Sequence, residues 1–582
     1  MRLGLMLILP LLFASCSADK QPAVRPNILL ILTDDQGWGD AGFHGNDSID
    51  TPNLDWLASH SVEFTQFYVS PVCAPTRASL LTGRYHLATG TSWVTHRQEV
   101  MRSSEYTLAE MLKEQGYRTG LFGKWHNGKQ YPHDPNGQGF DTFVGFADGH
   151  LNNYFDSPIH YNQERRISKG YMPDIITEEA IAFMQETGPF FAYLSFNTPH
   201  SPFQVPDQYF EKYKNKGFDD RTASIYGMVE NIDDNLGMVL NALKQSGKEE
   251  ETVVIFLTDN GPNGYRYNGG YKGIKSHVDE GGVRVPFLIR YPGKQWDDGS
   301  KRHALAAHID VLPTLADLLG LALPKDRAIH GRSLLADLEN NTKPEPRLYY
   351  THQVIRQFDT IPGAVRNGQY LLTLKPGETA FYDLETDPYQ KEDIKARHPE
   401  LVAEFQAAYQ QWFTLMNESG LEPEPIEVGH EQAPFIEFPA PDLSEKINLQ
   451  FAGGEGWAND WLIGWNNQSQ AVWQLRCVAA SNYEVLVELS NDPGSGELAV
   501  LLGGEKLTKS IATENIKTPI ASPDRVPRGE MYAYEWPLIH LGNIELKEGL
   551  QTLVVTSQNI KNLEIKSIQL KRTDHDRSDT EP

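Results

Sequence analysis

Apolar positions along this chain follow two rhythms that divide it into unlike parts. Asn27 to Thr33 is an unbroken apolar run that stops at Asp34-Asp35-Gln36-Gly37, and similar runs occupy Phe190 to Phe196, Thr252 to Thr258 and Val283 to Arg290. Runs of that length without polar alternation predict strands buried on both faces, as in a parallel sheet. Between them the period lengthens. Thr107-Leu108-Ala109-Glu110 is a capping box leading into Met111 and Leu112, with Gly116 as its stop. Thr222 to Leu243 carries Ile225, Met228, Val229, Ile232, Leu236, Val239 and Leu240 at helical spacing. Strands alternating with helices predict an α/β sheet covered on both sides. In such sheets, polar residues just past the carboxyl ends of strands are where ligands bind.

The rhythm then changes. Gln353 to Thr373 and Thr379 to Leu384 read as short antiparallel strands and Glu400 to Met416 as a helix, which together predict a small α+β subdomain. Glu422-Pro423-Glu424-Pro425, with prolines continuing to Pro441, reads as a linker. Beyond Leu443 the period is two: Tyr483, Val485, Val487 and Leu489 alternate, as do Leu498, Val500 and Leu502, while Leu563, Ile565 and Ile568 are less regular. This predicts an appended β-sandwich or jelly roll. The divisions read this way are 24–345 for the α/β unit, 346–421, the linker 422–442, the sandwich 443–572, and a charged tail 573–582.

Length agrees with that division, since 582 residues are too many for one core. The formal net charge is −25 with no basic stripe, which argues against nucleic acid as a partner. A polyanionic substrate would need a local positive pocket within that repulsive field. At the start, Arg2, the apolar run Leu3 to Phe13 and the small pair Ala14-Ser15 form a secretory signal over residues 1–15, too short to span a bilayer as a helix. Cys16 follows at once. The segment is therefore either a bacterial lipoprotein signal, with lipid on the Cys16 sulfur, or a plain export signal, because Phe13 stands where Leu is usual. Both readings predict an exported protein, in the periplasm or as an outer-membrane lipoprotein, with membrane contact only through that lipid. Three cysteines build no disulfide framework, and Cys477, in a strand-like stretch, is most simply a small buried residue.

Candidate chemistry gathers at the strand ends. Asp34-Asp35 and Thr258-Asp259-Asn260-Gly261 each follow an apolar strand directly. Taken singly, such pairs cap helices or turns; together they offer four oxygen-bearing side chains to one hard cation. Lys124 and His126, two apart on an extended segment, point to one side. Pro199-His200 ends the Phe190 run, and Lys275 precedes Glu280 to Pro286. Cys73-Ala74-Pro75-Thr76-Arg77, running on to Thr82-Gly83, reads on its own as a loop entering a helix with Gly83 as its left-handed stop.

In context, that stretch resembles the sulfatase signature, in which the cysteine is oxidised to Cα-formylglycine. From Asn27 to about His398 the chain resembles a type I, formylglycine-dependent sulfatase of the alkaline-phosphatase superfamily. The resemblance also rests on Gly116-Tyr117 through Gly123-Lys124-Trp125-His126, Gln138 to Asp141, Pro199-His200, Asp233-Asp234-Asn235, Thr258 to Gly261, Glu280 to Pro286, Asp310, Pro313-Thr314, Gly331 to Leu334, and Tyr382-Asp383-Leu384 with Asp387-Pro388. It implies a large mixed sheet sandwiched by helices with a four-stranded subdomain behind it. It also implies hydrolysis of a sulfate ester. The hydrated aldehyde is a geminal diol, one hydroxyl of which attacks sulfur while the other later expels sulfate.

Residue by residue, the resemblance makes Asp34, Asp35, Asp259 and Asn260 calcium ligands with position 73. Arg77 orients the diol. Lys124 and Lys275 grip sulfate oxygens, His200 assists departure of the alcohol, and His126 deprotonates the second hydroxyl. A formylglycine-generating maturation enzyme is an implied partner. Two positions depart from the family pattern. His330 stands at a structural place where Asp is usual, and Asn127 stands where Leu is common, which points it at substrate.

Export and the appended sandwich point to a sulfated glycan as substrate. Trp457, Trp461, Trp465 and Trp473 are either sugar-stacking or core residues. His150, Asn152, Asn153, Tyr265, Arg266 and His277, in polar loops beside the core motifs, are the candidate specificity residues. Two alternatives stay open at this level: a phosphodiesterase or phosphonate monoester hydrolase of the same superfamily, and a glycan-binding protein that has lost catalysis.

Overall fold

The computed structural model describes residues 25–340, 346–354 and 357–573. The expected signal 1–15, Cys16 and residues 574–582 of the expected tail lie outside them. No helix among the described residues is long and apolar enough to cross a membrane.

Ten strands build the main sheet: β1 (Asn27–Thr33), β2 (Val62–Tyr68), β3 (Arg118–Lys124), β4 (Thr142–Phe146), β5 (Pro158–Tyr161), β6 (Glu164–Ile167), β7 (Phe190–Ser195), β8 (Thr252–Thr258), β9 (Phe287–Arg290) and β10 (Lys301–Ala307). Their order is β10-β2-β9-β8-β1-β7-β3-β4-β5-β6. The centre, β8-β1-β7-β3-β4, is parallel, and antiparallel pairs flank it on both sides, so the sheet is mixed. The apolar runs are buried on both faces, as their lack of alternation requires. In β1, Ile28, Leu30 and Leu32 enter one core while Leu29 and Ile31 enter the other.

Local signals act where they were read. Thr107 and Glu110 cap each other at the start of the helix Leu108–Glu114. The long apolar stripe forms the helix Asp220–Gln245. The run Val283 to Arg290 behaves differently. Glu280–Val283 is a helical turn, and the strand begins only at Phe287, after Pro286, which has no backbone N–H to give a ladder.

Behind the main sheet lies a four-stranded antiparallel sheet of Tyr349–His352, Gly363–Arg366, Tyr370–Lys375 and Glu378–Asp383. The helix Pro399–Met416 packs Phe405, Tyr409 and Trp412 into the core they share. The C-terminal region forms two further sheets around one apolar core. Trp473 belongs to that core, Trp461 is buried against Tyr534 and Trp536, Trp465 is half-buried, and Trp457 is exposed. The uneven spacing of Leu563, Ile565 and Ile568 comes from a bulge where Glu564–Arg572 pairs with Ser481–Ser490.

The segment 422–442 is more than a linker. Ile426–Val428 pairs with Gln470–Cys477, and Phe435–Pro439 pairs with Glu564–Arg572. Ile426, Val428, Ile436 and Phe438 are all buried, so an alternating pattern lies hidden among the prolines. The same segment ties the two large units together. The His133 ring lies 2.8 Å from Glu424, and Lys129 and Gln130 donate to Asp442 at 2.9 and 3.0 Å.

Candidate active site

Four neighbouring strands, β8, β1, β7 and β3, end at one place, and their register aligns those ends. Thr33 pairs with Thr258, Leu32 with Ser195, and Ser195 with Gly123. Just beyond, Asp259 N donates to Thr33 O at 3.0 Å and Asp34 N to Thr198 O at 3.1 Å. This brings Asp34, Asp35, Lys124, His126, His200, Asp259 and Asn260 into one neighbourhood. Asp35 has φ +65°, so the chain turns sharply as it leaves β1.

Cys73 arrives from the side as the first residue of the helix Cys73–Thr82, which Gly83 ends with φ +68°. Val72 at its N-cap supplies no side-chain hydrogen bond, so the first amide groups are open to an anion. Lys275 comes from the loop after β8, where Lys275 N donates to Pro262 O at 3.0 Å and Ser276 N to Pro71 O at 2.8 Å, beside Cys73.

Three basic side chains face three carboxylates in a buried space. Lys124 Nζ lies 2.6 Å from Asp34 Oδ2, and Lys275 Nζ lies 2.6 Å from Asp35 Oδ1. Arg77 donates to Asp259 Oδ2 from Nε at 3.2 Å and from Nη2 at 2.9 Å. Its Nη1 reaches Lys124 O at 3.0 Å and Ser195 Oγ at 2.6 Å. Asp35 N donates to Asp259 Oδ1 at 3.1 Å, and Asn260 Nδ2 to Asp35 Oδ1 at 2.8 Å. Burial raises the pKa of Asp34 and Asp35, but the neighbouring cations outweigh it and hold both below the usual carboxylate range. Burial and the charge of Asp34 push Asp259 up to about 7. Burial also raises the Cys73 thiol, so an unmodified Cys73 is not a thiolate nucleophile.

The donor set suits a hard cation. Asp34 Oδ1, Asp35 Oδ2 and Asn260 Oδ1 are buried and accept no hydrogen bond among the described residues. Buried carboxylate oxygens left in that state need another partner. Ligand atoms of Asp34, Cys73 and Asp259 lie within 4.8 Å of one another, and so do those of Asp34, Asp35 and His200. Carboxylate and amide oxygens are what calcium or magnesium takes.

The two histidines are held in definite tautomers. The His126 ring places Nε2 2.9 Å from Val94 O, which can only accept, so Nε2 carries the proton. Nδ1 is then the basic atom; it is buried and makes no hydrogen bond among the described residues. Burial, aided by Lys124, lowers the His126 pKa well below the ordinary value, so the ring is neutral. His200 Nδ1 lies 2.6 Å from Ser201 O, which leaves Nε2 facing the site, 3.8 Å from Asp35 Oδ2.

Other expected positions fall elsewhere. Arg266 donates from Nε to Asp40 Oδ1 at 2.8 Å and from Nη2 to Asp35 O at 3.1 Å, so it braces the turn after β1 from behind. Asn152 Oδ1 accepts from Arg528 Nη1 at 2.8 Å and from Ala533 N at 3.1 Å, and Asn153 Nδ2 donates to Ala521 O at 3.1 Å. Both amides are thus engaged by the C-terminal domain. Tyr265 is 81 % exposed. His277 is half-buried, beside Asp279, Lys272 and Lys375. His150 is buried next to His200 with its ring centroid 6.2 Å away.

Asn127, expected at the substrate, lies in the interior beside position 73. It is fully buried and donates to Ala74 O at 3.0 Å and Glu99 O at 3.2 Å, bracing the chain beside position 73. His330 accepts from Tyr85 N at 3.1 Å, a structural tie just after Gly83.

Three contributors escape a sequence reading. Ser195 Oγ accepts from Arg77 and donates to Lys124 O at 2.7 Å; its one signal is its place at the end of an apolar run. Gly149 packs against His126, and a Cβ there would come 2.0 Å from Nε2. Glu530, from the C-terminal domain, accepts from Ser201 Oγ at 2.9 Å.

Comparison with known proteins identifies the family. Residues 26–321 match the Sulfatase family, and residues 274–412 match the C-terminal part of N-sulphoglucosamine sulphohydrolase. N-acetylgalactosamine-6-sulfatase of Mus musculus is 32% identical over 406 residues, which cover 63% of this chain and 74% of that protein. Steryl-sulfatase of Homo sapiens is 29% identical over 443 residues, covering 59% and 74%. The crystal structure of Ps i-CgsB in complex with k-i-k-neocarrahexaose superposes with a TM-score of 0.65 at 28% identity, covering 69% of this chain and 95% of that one.

Proposed function

Since the chain belongs to the sulfatase family and hydrolyses sulfate esters, we propose that its substrate is a sulfated carbohydrate, its nucleophile is position 73 after oxidation to Cα-formylglycine, and its metal is calcium. The observation that carries this reading is the trio of buried oxygens on Asp34, Asp35 and Asn260 that accept no hydrogen bond among the described residues, set beside Cys73 and ringed by Arg77, Lys124 and Lys275. Asp34, Asp35, Asp259 and Asn260 would hold the ion. Bound there, calcium would supply positive charge to the sulfuryl oxygens and to the nucleophile as charge develops.

The chain's own groups divide the remaining work. Lys124 and Lys275 neutralise the sulfate oxygens, and Arg77, fixed by five contacts, orients position 73. His200 presents Nε2 to the leaving oxygen and can deliver a proton there once that nitrogen is protonated, with Asp35 beside it to stabilise the charge. His126 presents a neutral Nδ1 that can take a proton from the hydroxyl at position 73. The sugar assignment is supported by a relative named for N-acetylgalactosamine 6-sulfate and by a structural neighbour crystallised with a neocarrahexaose. Export, with or without lipid on Cys16, rests on the leader pattern of residues 1–15.

Mass spectrometry of the peptide containing position 73, from protein made in its native host, is expected to show the mass of the aldehyde. Sulfate release from sulfated glycans and aryl sulfates should then vanish in Cys73→Ala. An unmodified thiol in active enzyme, or a dominant rate on an aryl phosphodiester with the same leaving group, would overturn the proposal.

A further inference from the structure

A hairpin of the C-terminal domain, joining the short paired strands Thr518–Pro519 and Tyr534–Glu535, leaves that domain and lies on the catalytic unit beside the active site. Its attachment is built of buried groups. The Arg528 side chain is fully buried, held by Asp524 at 2.7 Å, and donates to Asn152 O at 2.9 Å and Asn152 Oδ1 at 2.8 Å. Gln204 Nε2 donates to Asp524 Oδ1 at 2.7 Å. Arg525 N donates to Phe203 O at 3.0 Å, and Val526 packs against the catalytic core. A loop anchored this way holds its side chains in fixed positions.

Glu530 stands near its end. Its carboxylate accepts from the Ser201 hydroxyl at 2.9 Å, and Ser201 follows His200 in the chain. Close by is His150, buried, with neither ring nitrogen hydrogen-bonded among the described residues. Two buried nitrogens in that state need a partner, and a neutral imidazole offers one donor and one acceptor. Burial pushes His150 down to about 3, so the ring is neutral. Burial raises the Glu530 pKa, yet with the Ser201 hydroxyl donating to it the carboxylate stays below its ordinary value and is ionised.

We propose that this hairpin, residues 520–533, is the leaving-group wall of the active site, and that Glu530 and His150 bind ring hydroxyls of the sugar that carries the sulfate. The inference rests on the sulfatase reading above, which places the leaving oxygen at His200. Groups bonded to the neighbour of His200 then meet the atoms attached to that oxygen. A carboxylate accepts strongly from a hydroxyl and repels a second anion. The substrate class is therefore a sugar sulfate with a free hydroxyl beside the ester, rather than a second sulfate or a carboxylate there. The C-terminal domain becomes a specificity element of the active site, whatever its aromatic surface binds.

The test compares parent, Glu530→Gln and His150→Ala as full-length chains on three probes. These are a monosulfated monosaccharide, its analogue with a second sulfate on the neighbouring position, and 4-nitrophenyl sulfate, which has no ring hydroxyls. Each variant should lower the ratio of kcat/KM for the monosulfated sugar over the aryl sulfate by on the order of tenfold to a hundredfold. Glu530→Gln should also raise the disulfated sugar relative to the monosulfated one. Equal losses on sugar and aryl sulfates, or ratios that stay at the parent's value, would overturn the inference alone. A parent that carries the aldehyde yet cleaves none of the probes would overturn the sulfatase reading, and this one with it.

Discussion

Calcium and sulfate should bind this chain cooperatively, and the reason lies in two distances. Lys124 and Lys275 each sit 2.6 Å from a carboxylate that the metal would also need. At an effective dielectric near 20, each contact corresponds to about 6 kcal/mol of Coulomb attraction. A cation arriving alone competes with both lysines for Asp34 and Asp35. An oxyanion arriving with it gives the lysines a new partner and restores the balance of three acids against three bases. Water and side-chain relaxation absorb most of the Coulomb energy, and neighbouring sites typically couple by about 1–3 kcal/mol, which is about 5- to 150-fold in affinity. Calorimetric titration of calcium into the full-length chain, with sulfate or with chloride at matched ionic strength, measures it. Sulfate should tighten calcium binding by a factor in that range, and calcium should tighten sulfate binding by the same factor. Lys275→Ala should bind calcium alone more tightly and lose much of the coupling. Calcium affinity that is indifferent to sulfate, or weakened by it, would refute the reasoning.

Two more perturbations read other parts of the site and its frame. Gly149→Ala puts a Cβ 2.0 Å from His126 Nε2 and 2.4 Å from Cε1, so the ring must leave its bond to Val94 O; kcat should fall on the order of a hundredfold, and a fully active variant would show that the His126 position is immaterial. Glu99 is buried, its Oε2 has no partner among the described residues, and burial with the charge of Asp442 raises its pKa from 4.5 to about 7. The folded state therefore holds a proton that the unfolded chain has released, so stability falls as pH rises from about 4.5 to about 7 and stays lower above it. Glu99→Gln should be the more stable protein in urea unfolding near pH 8, by up to about 3 kcal/mol, with the difference shrinking toward pH 4.5; a constant difference across that range would exclude this origin.

What could be read from the sequence, and what could not, divides along a physical line. Asp34, Asp35, Asp259 and Asn260 were visible because each follows an apolar run directly. A parallel sheet carries every such strand end to the same edge, and the registers of β1, β7, β8 and β3 leave little freedom in where they meet. Lys124 and His126 belong to the same class. The strands at Ile426–Val428 and Phe435–Pro439 were hidden because proline spacing spoke louder than two short alternations. Arg266, Asn152 and Asn153 are polar loop residues in the right region, yet a loop's composition does not say which of its side chains turn inward. Their partners lie 226 positions away for Arg266 and 376 for Asn152. Glu530 belongs with them, 329 positions from Ser201, in the hairpin between Thr518–Pro519 and Tyr534–Glu535. Chemistry tied to the ends of strands is written locally, because the sheet does the assembling. The wall that chooses among substrates is written in how one domain docks on another. Two chains with the same strand-end residues can therefore cleave the same bond on different sugars, and substituting Glu530 should alter that choice while Asp34, Asp35 and position 73 keep their places.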